Sequence, residues 1–121
     1  MSASDPQNIL VFDSGLGGLS LISEIRKNLP GRSIIYVADN ALFPYGELSE
    51  NDLFTRLVEV FEKLHSNNDI LTAVIACNTA STLTLDVLRA AFPISFVGTV
   101  PAIKPACLMS TSGLVSVLAT P

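Results

Sequence analysis

The sequence predicts an α/β fold in which a parallel β-sheet carries helices on both faces. Three observations support this prediction: short strands that are apolar throughout, helical segments of ten or more residues between them, and Gly or Pro at the junctions. Strands without polar alternation are typical of sheets that are buried on both sides. The intervening helices are long enough to connect parallel neighbours. A length of 121 residues fits a single domain.

The first half of the chain contains two predicted strands and one predicted helix. A strand at Ile9–Phe12 is followed by a helix from Leu19 to Leu29, a strand at Ser33–Ala38 and a loop from Asp39 to Glu47. The segment Asp13–Gly18 breaks the first strand, and Pro30 with Gly31 ends the helix. Each boundary therefore contains residues whose backbone preferences favour it.

The second half continues the alternation. Ser49 lies three residues before Asp52, a spacing that is typical of a helix N-terminus. The elements predicted after it are a helix with an apolar stripe from Leu53 to Leu64, a strand at Leu71–Ala76, a helix at Asn78–Ala91, and strands at Ser95–Val97 and Leu114–Leu118. Pro93 ends the third helix. We therefore expect five strands in all.

Composition and charge argue against several classes of protein. The chain has 7 basic and 11 acidic residues, a formal net charge of −4, which disfavours a nucleic-acid-binding module. No apolar run approaches the roughly 18 residues that a membrane span needs. Residues 1–8 are polar and lack Lys and Arg, so we expect no signal peptide. Two cysteines fit a reducing cytoplasm, and a single histidine disfavours a zinc site.

The mean hydropathy of +0.50 is high for a small domain that must show water a charged surface. Hydrophobic residues make up 49% of the chain and charged residues 15%. Either the sheet is buried on both faces, or further protein packs against the chain. We expect both.

Three loops with polar chemistry follow three of the predicted strands. Their sequences are Asp13-Ser14-Gly15, Asp39-Asn40 through Pro44-Tyr45-Gly46, and Cys77-Asn78-Thr79. Because ligands of parallel α/β sheets bind outside the carboxyl ends of the strands, we expect the loops to converge on one site. Together they offer a carboxylate, hydroxyls, an amide, a thiol and accessible backbone N–H groups.

Cys77 is the most informative residue of these loops. It ends an apolar strand and precedes a helix, whose free N–H groups and partial positive charge can stabilise a thiolate. A buried structural cysteine is the other interpretation. The polar side chains that follow it, Asn78, Thr79, Ser81 and Thr82, favour the reactive thiol.

Other residues of the chain are less specific. The segment Gly15–Ser20 resembles a dinucleotide-binding fingerprint, but Ser20 stands where the third glycine belongs, and a tight strand-to-helix turn is the simpler interpretation. Asp39 fits a turn residue. Cys107 lies in an apolar stretch without an adjacent base, so we predict that it is buried.

Five segments of the chain occur in the order found in one enzyme family. They are Phe12–Leu19, Pro44–Glu47, Ala76–Ser81, Val97–Ala106 and Leu118–Pro121. Together they resemble glutamate racemase, a member of the cofactor-independent aspartate/glutamate racemase superfamily. The resemblance runs from about Ile9 to the last residue. Each motif alone is modest, whereas five in order are highly specific.

The resemblance implies racemisation of glutamate at its α-carbon by two thiols, without a cofactor or a metal, to supply D-glutamate for peptidoglycan. One thiol removes the α-proton and the other reprotonates the opposite face. Cys77 matches the first thiol. The substrate-binding pairs match Asp13 and Ser14, Tyr45 and Gly46, and Asn78 and Thr79. The implied setting is cytoplasmic, with glutamate as the small-molecule partner, no nucleic acid or membrane partner, and room for a homodimer of the full-length form.

The chain departs from the family in one respect. The second thiol, which the family carries in a Gly-Cys-Thr-His motif of its C-terminal half, is absent, and Cys107 does not match it. We therefore expect residues 1–98 to form the first α/β lobe and residues 99–121 to begin a truncated second lobe, with activity impaired or absent in this chain alone. Two alternatives stay open: a racemase of another acidic amino acid, and a lobe that only binds.

Overall fold

Residues 8–120 of the protein are described by a computed structural model. The strands are β1 (Asn8–Asp13), β2 (Ser33–Ala38), β3 (Ile70–Ile75) and β4 (Ser95–Gly98), and the helices are α1 (Leu19–Asn28), α2 (Glu50–Asn67), α3 (Asn78–Ala91) and α4 (Ile103–Met109). The four strands form one parallel sheet in the order β2-β1-β3-β4. The predicted α/β class with a parallel sheet is confirmed.

The central strand β1 is held on both sides and buried along most of its length. Val11 lies opposite Tyr36 of β2 and Val74 of β3. The main core lies between the sheet and helices α2 and α3, where the Phe61 ring centroid is 5.4 Å from those of both Phe12 and Phe96. Burial of large apolar side chains contributes about 1.5–3 kcal/mol each. The carboxyl end of β1 is therefore firmly placed.

Helix α1 packs on the opposite face of the sheet and covers it only in part. Its Leu21 and Ile25 line a shallow apolar groove together with Val74 and Val97 of the sheet. No residue of α1 is fully buried. Both faces of the sheet therefore carry helices, as predicted, but the α1 side buries less apolar surface than the α2–α3 side.

The predicted boundaries of the first four strands lie within one residue of the observed ones. The predicted helix at Asn78–Ala91 is observed with the same bounds, and the first helix ends one residue earlier than predicted. Ser49 caps α2 as its spacing to Asp52 predicts, since its hydroxyl oxygen accepts a hydrogen bond from the Asp52 N–H at 3.2 Å. Local sequence signals therefore account for most of the elements.

The predicted fifth strand at Leu114–Leu118 is wrong, because these residues form no regular structure. Their composition favours a strand, but a strand also needs a paired neighbour and a packed face, and Leu118 is 100% exposed. The short helix α4, which was not predicted, follows β4 instead. The predicted burial of Cys107 is also wrong: it lies exposed on α4, whose neighbouring Met109 is exposed as well.

The exposed apolar side chains lie mostly on β4, α4 and the segment that follows. They include Val97, Val100, Leu108, Met109, Leu114 and Leu118. Much of the unusual hydropathy of the chain therefore resides in its last quarter. Across residues 8–120, no helix reaches the length and apolar character that a bilayer crossing demands. The segment for which we predict no signal peptide lies almost entirely outside the described residues.

Candidate active site

The three polar loops converge at the carboxyl edge of the sheet, as predicted. The hydroxyl of Ser14, after β1, lies 3.7 Å from the sulfur of Cys77, after β3, and donates to it. Backbone hydrogen bonds join the same loops: the Asp39 N–H donates to the Asp13 carbonyl at 2.8 Å, and the Ala76 N–H donates to the Phe12 carbonyl at 2.7 Å. The sheet ladder thus continues into the loops and fixes their separation.

Asp13 organises the glycine loop that follows β1. Its carboxylate accepts hydrogen bonds from the backbone N–H of Ser14 at 2.8 Å and of Gly18 at 2.7 Å, one on each oxygen. The Tyr36 hydroxyl donates to the Gly15 carbonyl at 2.7 Å and lies 3.5 Å from the Asp13 carboxylate. Burial, and then the nearby Asp13 charge, raise the pKa of Tyr36. Both carboxylate oxygens of Asp13 therefore already have hydrogen-bond partners within its own loop.

Gly18 closes this loop against the sheet. A Cβ atom at position 18 would lie 2.8 Å from the Cβ of Ala76 and 3.2 Å from the ring and hydroxyl of Tyr36. These separations leave no room for a side chain. The glycine at this position therefore allows α1 to begin close to the sheet and brings Asp13 within reach of the Gly18 N–H.

Cys77 occupies the N-cap position of α3, with extended backbone dihedrals of φ −78° and ψ 121°. Its carbonyl accepts the first hydrogen bond of the helix, from the Ser81 N–H at 2.9 Å. The residue is 8% exposed. The thiol is therefore nearly buried between the start of α3 and the glycine loop, with the Ser14 hydroxyl as its polar neighbour.

A cleft of about 440 Å³ opens beside these buried groups. Four of the seven predicted site residues line it: Tyr45, Gly46, Asn78 and Thr79. Asp13, Ser14 and Cys77 are not among its lining residues; they lie buried next to it, since Cys77 precedes Asn78 in the chain. The predicted residues thus fall into an inner group around the thiol and an outer group on the cleft wall.

Asn78 is oriented by a residue that follows β4. The Thr99 hydroxyl lies within hydrogen-bond distance of two oxygens, the Asn78 side-chain carbonyl at 3.3 Å and the Ile75 backbone carbonyl at 3.1 Å. Ser81 supports the same corner, because its hydroxyl donates to the Ile75 carbonyl and accepts from the Thr99 N–H. With its carbonyl oxygen turned to Thr99, the Asn78 side chain keeps its N–H₂ donors for a ligand.

Tyr45 and Gly46 belong to a short 3₁₀ turn at Tyr45–Glu47. Tyr45 is buried, and its hydroxyl donates to the Asp39 carboxylate. Gly46 lies against the segment near the end of the described chain, since a Cβ atom there would be 2.6 Å from Cγ2 of Thr120. Tyr45 and Gly46 form one wall of the cleft, and the hydrogen bond from Tyr45 to the buried Asp39 carboxylate holds this wall in place.

Asp39 and Arg56 are the residues of this region that sequence reasoning missed. Asp39 was predicted to be a turn residue and no role was predicted for Arg56, yet the two form a two-point ion pair. A usable signal exists: Arg56 lies three residues after buried Leu53 and one before buried Leu57, so its stem borders the core. A carboxylate directly after an apolar strand is the natural partner for it.

Among residues 8–120, no three His, Cys, Asp or Glu side chains are grouped closely enough to hold a metal ion. The chemistry available at the site is that of a thiol, hydroxyls, an amide and backbone N–H groups. These groups suit the binding of a small anion, such as a carboxylate, next to a nucleophile or base.

Comparison with known proteins finds similar sequences and structures from a single family. No protein-family model matches the chain. It is 60% identical over 121 residues to glutamate racemase of Brucella anthropi, covering 99% of this chain and 44% of that protein, and 58% identical over 114 residues to the Brucella ovis enzyme, covering 93% and 41%. The chain thus spans less than half the length of these relatives.

Solved structures agree with the sequence matches. The structure of Escherichia coli glutamate racemase in complex with L-glutamate and the activator UDP-MurNAc-ala is similar with a TM-score of 0.82 and 47% identity, covering 88% of this chain and 40% of that one. Aquifex pyrophilus glutamate racemase gives a TM-score of 0.76 with 33% identity, covering 85% and 41%. In sequence and in fold, the chain therefore corresponds to the N-terminal portion of the glutamate racemases.

Proposed function

We propose that this chain supplies one of the two proton-transferring thiols, Cys77, and part of the substrate site of a glutamate racemase. The observation that carries the proposal is the placement of Cys77 at the start of α3, against the Ser14 hydroxyl and beside a cleft lined by Asn78 and Thr79. The matched structures include racemases solved with L-glutamate and with D-glutamate, so glutamate is the ligand we assign to the cleft.

The reaction requires a base for a very weak acid, the α-proton of an amino acid. A thiolate at Cys77 takes that proton, and a second thiol delivers a proton to the opposite face. The N-terminal N–H groups of α3 and the Ser14 hydroxyl are placed to interact with the sulfur during the step. Removal of water from the buried thiol strengthens these interactions further. No cofactor is needed in this scheme.

The cleft residues have separate roles in the proposal. The Asn78 amide and the Thr79 hydroxyl donate to a substrate carboxylate, and the Gly46 backbone borders the same space. Ser14 serves both the thiol and the substrate. Asp13 acts mainly by shaping the glycine loop, because each of its oxygens already accepts a backbone N–H. Substrate positioning then depends on neutral donors in the loops.

The same proposal extends to the organisation of the chain. We assign residues 1–98 to a first lobe, because β4 ends at Gly98, and residues 99–121 to the start of a second one. The second thiol belongs to a part of the family chain that these residues do not match. The cytoplasm is the compartment we propose, in keeping with free Cys77 and Cys107. D-glutamate for peptidoglycan is the proposed product, and a homodimer of the longer form stays a prediction.

Exchange of the α-proton of L- and D-glutamate in deuterated water tests the proposal. The matched pair is Cys77→Ser, which removes the proposed base, and Cys107→Ser, which removes an exposed cysteine on α4. We expect slow exchange by the parent chain and by Cys107→Ser, and none by Cys77→Ser. Binding is measured in parallel, by the shifts that glutamate causes in the amide resonances of Ser14, Gly46 and Thr79.

Two outcomes would contradict the proposal. Exchange that survives Cys77→Ser would exclude Cys77 as the base. A folded chain that neither exchanges nor binds glutamate would exclude the assigned ligand.

Faster exchange of aspartate than of glutamate would instead favour a racemase of another acidic amino acid. Binding without exchange in the parent chain would support a lobe that only binds.

A further inference from the structure

An ionic cluster lies next to the Tyr45–Gly46 wall of the cleft, with Asp39 and Tyr45 buried and the Arg56 side chain 28% exposed. The Arg56 guanidinium donates from Nε to one oxygen of Asp39 at 2.8 Å and from Nη2 to the other at 2.5 Å. The Tyr45 hydroxyl donates to the same oxygen as Nε. Asp39 is 7% exposed, and its carboxylate joins the other two side chains.

The three members of this cluster come from three different parts of the chain. Asp39 directly follows β2, Tyr45 lies in the 3₁₀ turn, and Arg56 lies in the second turn of α2. The cluster therefore ties the loop after β2 to a helix of the main core. Two-point pairing between a guanidinium and a carboxylate also fixes direction, which a single-point ammonium contact does not.

The loop has few other anchors. Leu42 and Phe43 are both exposed, whereas Tyr45 is almost completely buried. The ring of Tyr45 packs 6.3 Å from that of Phe12, and its hydroxyl reaches Asp39. The position of the turn thus depends on the Tyr45 side chain, on the carboxylate that receives its hydroxyl, and on Leu48, which packs against the core directly after the turn.

Displacement of Tyr45 would be transmitted directly to the cleft. Tyr45 and Gly46 both line it, and Gly46 is adjacent to Tyr45 in the backbone. Gly46 also fits closely against Thr120, with no space for a Cβ atom. A shift of the turn would therefore alter the cleft wall and the contact with Thr120 together.

We propose that Arg56 is a positioning residue, which acts through the Asp39 carboxylate to hold Tyr45 and thereby places Gly46 at the cleft. Arg56 itself is absent from the lining of the cleft. The importance of this arrangement for glutamate rests on the function proposed above. The position of the turn does not rest on that function, so an experiment can contradict one proposal and leave the other standing.

The protonation states of the cluster agree with a single arrangement at neutral pH. Hydrogen bonding from Arg56 is the main cause that lowers the pKa of Asp39, so its carboxylate is ionised. Burial, followed by the Asp39 hydrogen bond, raises the pKa of Tyr45 well above its usual value, so its hydroxyl remains a donor. Each hydrogen bond in the cluster therefore has a defined donor and acceptor.

The test compares Arg56→Met with Lys63→Met in the whole 121-residue chain. Both substitutions remove one positive charge from α2 and retain an unbranched side chain, but Lys63 is exposed and outside the cluster. The readout is the amide resonance of Gly46, with the resonances of β1 and β3 as the measure of an intact fold. We expect Arg56→Met to displace the Gly46 resonance beyond its linewidth and Lys63→Met to leave it in place.

Glutamate affinity is the second readout. We expect Arg56→Met to weaken binding about tenfold, the effect of losing roughly one hydrogen bond to a charged group, while Lys63→Met changes it less than about twofold. An unmoved Gly46 resonance in folded Arg56→Met overturns the positioning role. A parent chain that does not bind glutamate contradicts the proposed function, and the Gly46 shift still decides the role of Arg56.

A second variant tests the same role in case Arg56→Met does not fold. Arg56→Lys keeps the positive charge but cannot donate to both Asp39 oxygens with the same fork. We expect it to fold and to displace the Gly46 resonance in the same direction, by a smaller amount. A Gly46 resonance identical to that of the parent chain would show that charge alone suffices and would overturn the proposal.

Discussion

The Ser14 hydroxyl lies 3.7 Å from the Cys77 sulfur, although 63 positions separate the two residues in the chain. The parallel pairing of β1 with β3 accounts for this proximity, because Phe12 and Ile75 are register partners immediately before the two loops. The pair therefore links the glycine loop after β1 to the side chain that caps α3.

Ser14→Ala is expected to slow the alkylation of Cys77, because the thiolate loses a hydrogen-bond donor. Carried out in the Cys107→Ser background, the reaction with iodoacetamide at neutral pH reports on Cys77 alone. A neutral hydrogen bond of about 1 kcal/mol corresponds to a roughly fivefold lower rate. Ser23→Ala, which removes an exposed hydroxyl from α1, serves as the control. An unchanged or faster rate in Ser14→Ala would show that the contact does not stabilise the thiolate.

Gly18→Ala is expected to destabilise the protein by about 1–3 kcal/mol, because the added methyl meets the Cβ of Ala76 at 2.8 Å. Gly31→Ala is the matched control, since nothing lies within 4 Å of a Cβ atom there and its backbone is not left-handed. That change should be neutral or stabilise by about 0.4–1 kcal/mol. Urea unfolding measures both. Equal effects of the two substitutions would contradict the close packing at Gly18.

Asp13→Asn is expected to cost about 1–3 kcal/mol, because an amide places an N–H₂ group where one of two backbone N–H donors needs an acceptor. Amide hydrogen exchange should quicken more at Ser14 or Gly18 than in β3, where only the loss of global stability contributes. The control is Asp86→Asn on α3, an exposed side chain 3.8 Å from Arg89, with an expected effect below about 0.5 kcal/mol. Protection of both amides in Asp13→Asn would refute the role given to this carboxylate.

At low pH the free energy of unfolding is expected to lose the contribution of the ionised Asp39 carboxylate. Its pKa in the folded protein is lowered, chiefly by the Arg56 hydrogen bond, relative to about 3.9 in an unfolded chain. The contribution is therefore complete above the unfolded pKa and is lost as the pH falls through the folded one. Unfolding free energies measured from pH 6 down to pH 2 should fall more steeply in the parent protein than in Asp39→Asn. Parallel curves would contradict this assignment.

The sequence carried enough local information to predict the sheet and three of the helices. Apolar runs bounded by glycine, proline or a capping serine specify strands and helices that pack on each other, as Ser49 and Gly18 illustrate. The segment Leu114–Leu118 shows the limit of this reasoning. Its strand propensity depends on a neighbouring strand, and pairing is a property of the fold and not of the five residues.

The candidate site shows the same limit in its polar contacts. The convergence of the loops followed from parallel topology, so Ser14 and Cys77 could be placed together from sequence. The full link from Asp39 to Arg56 and Tyr45 could not: the position of Arg56 beside the core indicates only that it needs a partner, and the cluster requires side chains of three elements to meet. Whether an Asx residue caps a turn or pairs with an arginine depends on long-range geometry. The prediction of a turn residue therefore missed the ion pair that Asp39 forms with Arg56.

The strand order β2-β1-β3-β4 has a consequence for mutagenesis of the site. The chain turns from β1 towards β2 over one face of the sheet and later passes to β3 and β4 over the other, so the loops after β1 and β3 diverge at a topological switch point. Their divergence is a product of winding direction and not of any one side chain. We expect Cys77→Ser to keep this arrangement of the loops and the affinity of the neighbouring cleft for ligand, while proton transfer is lost.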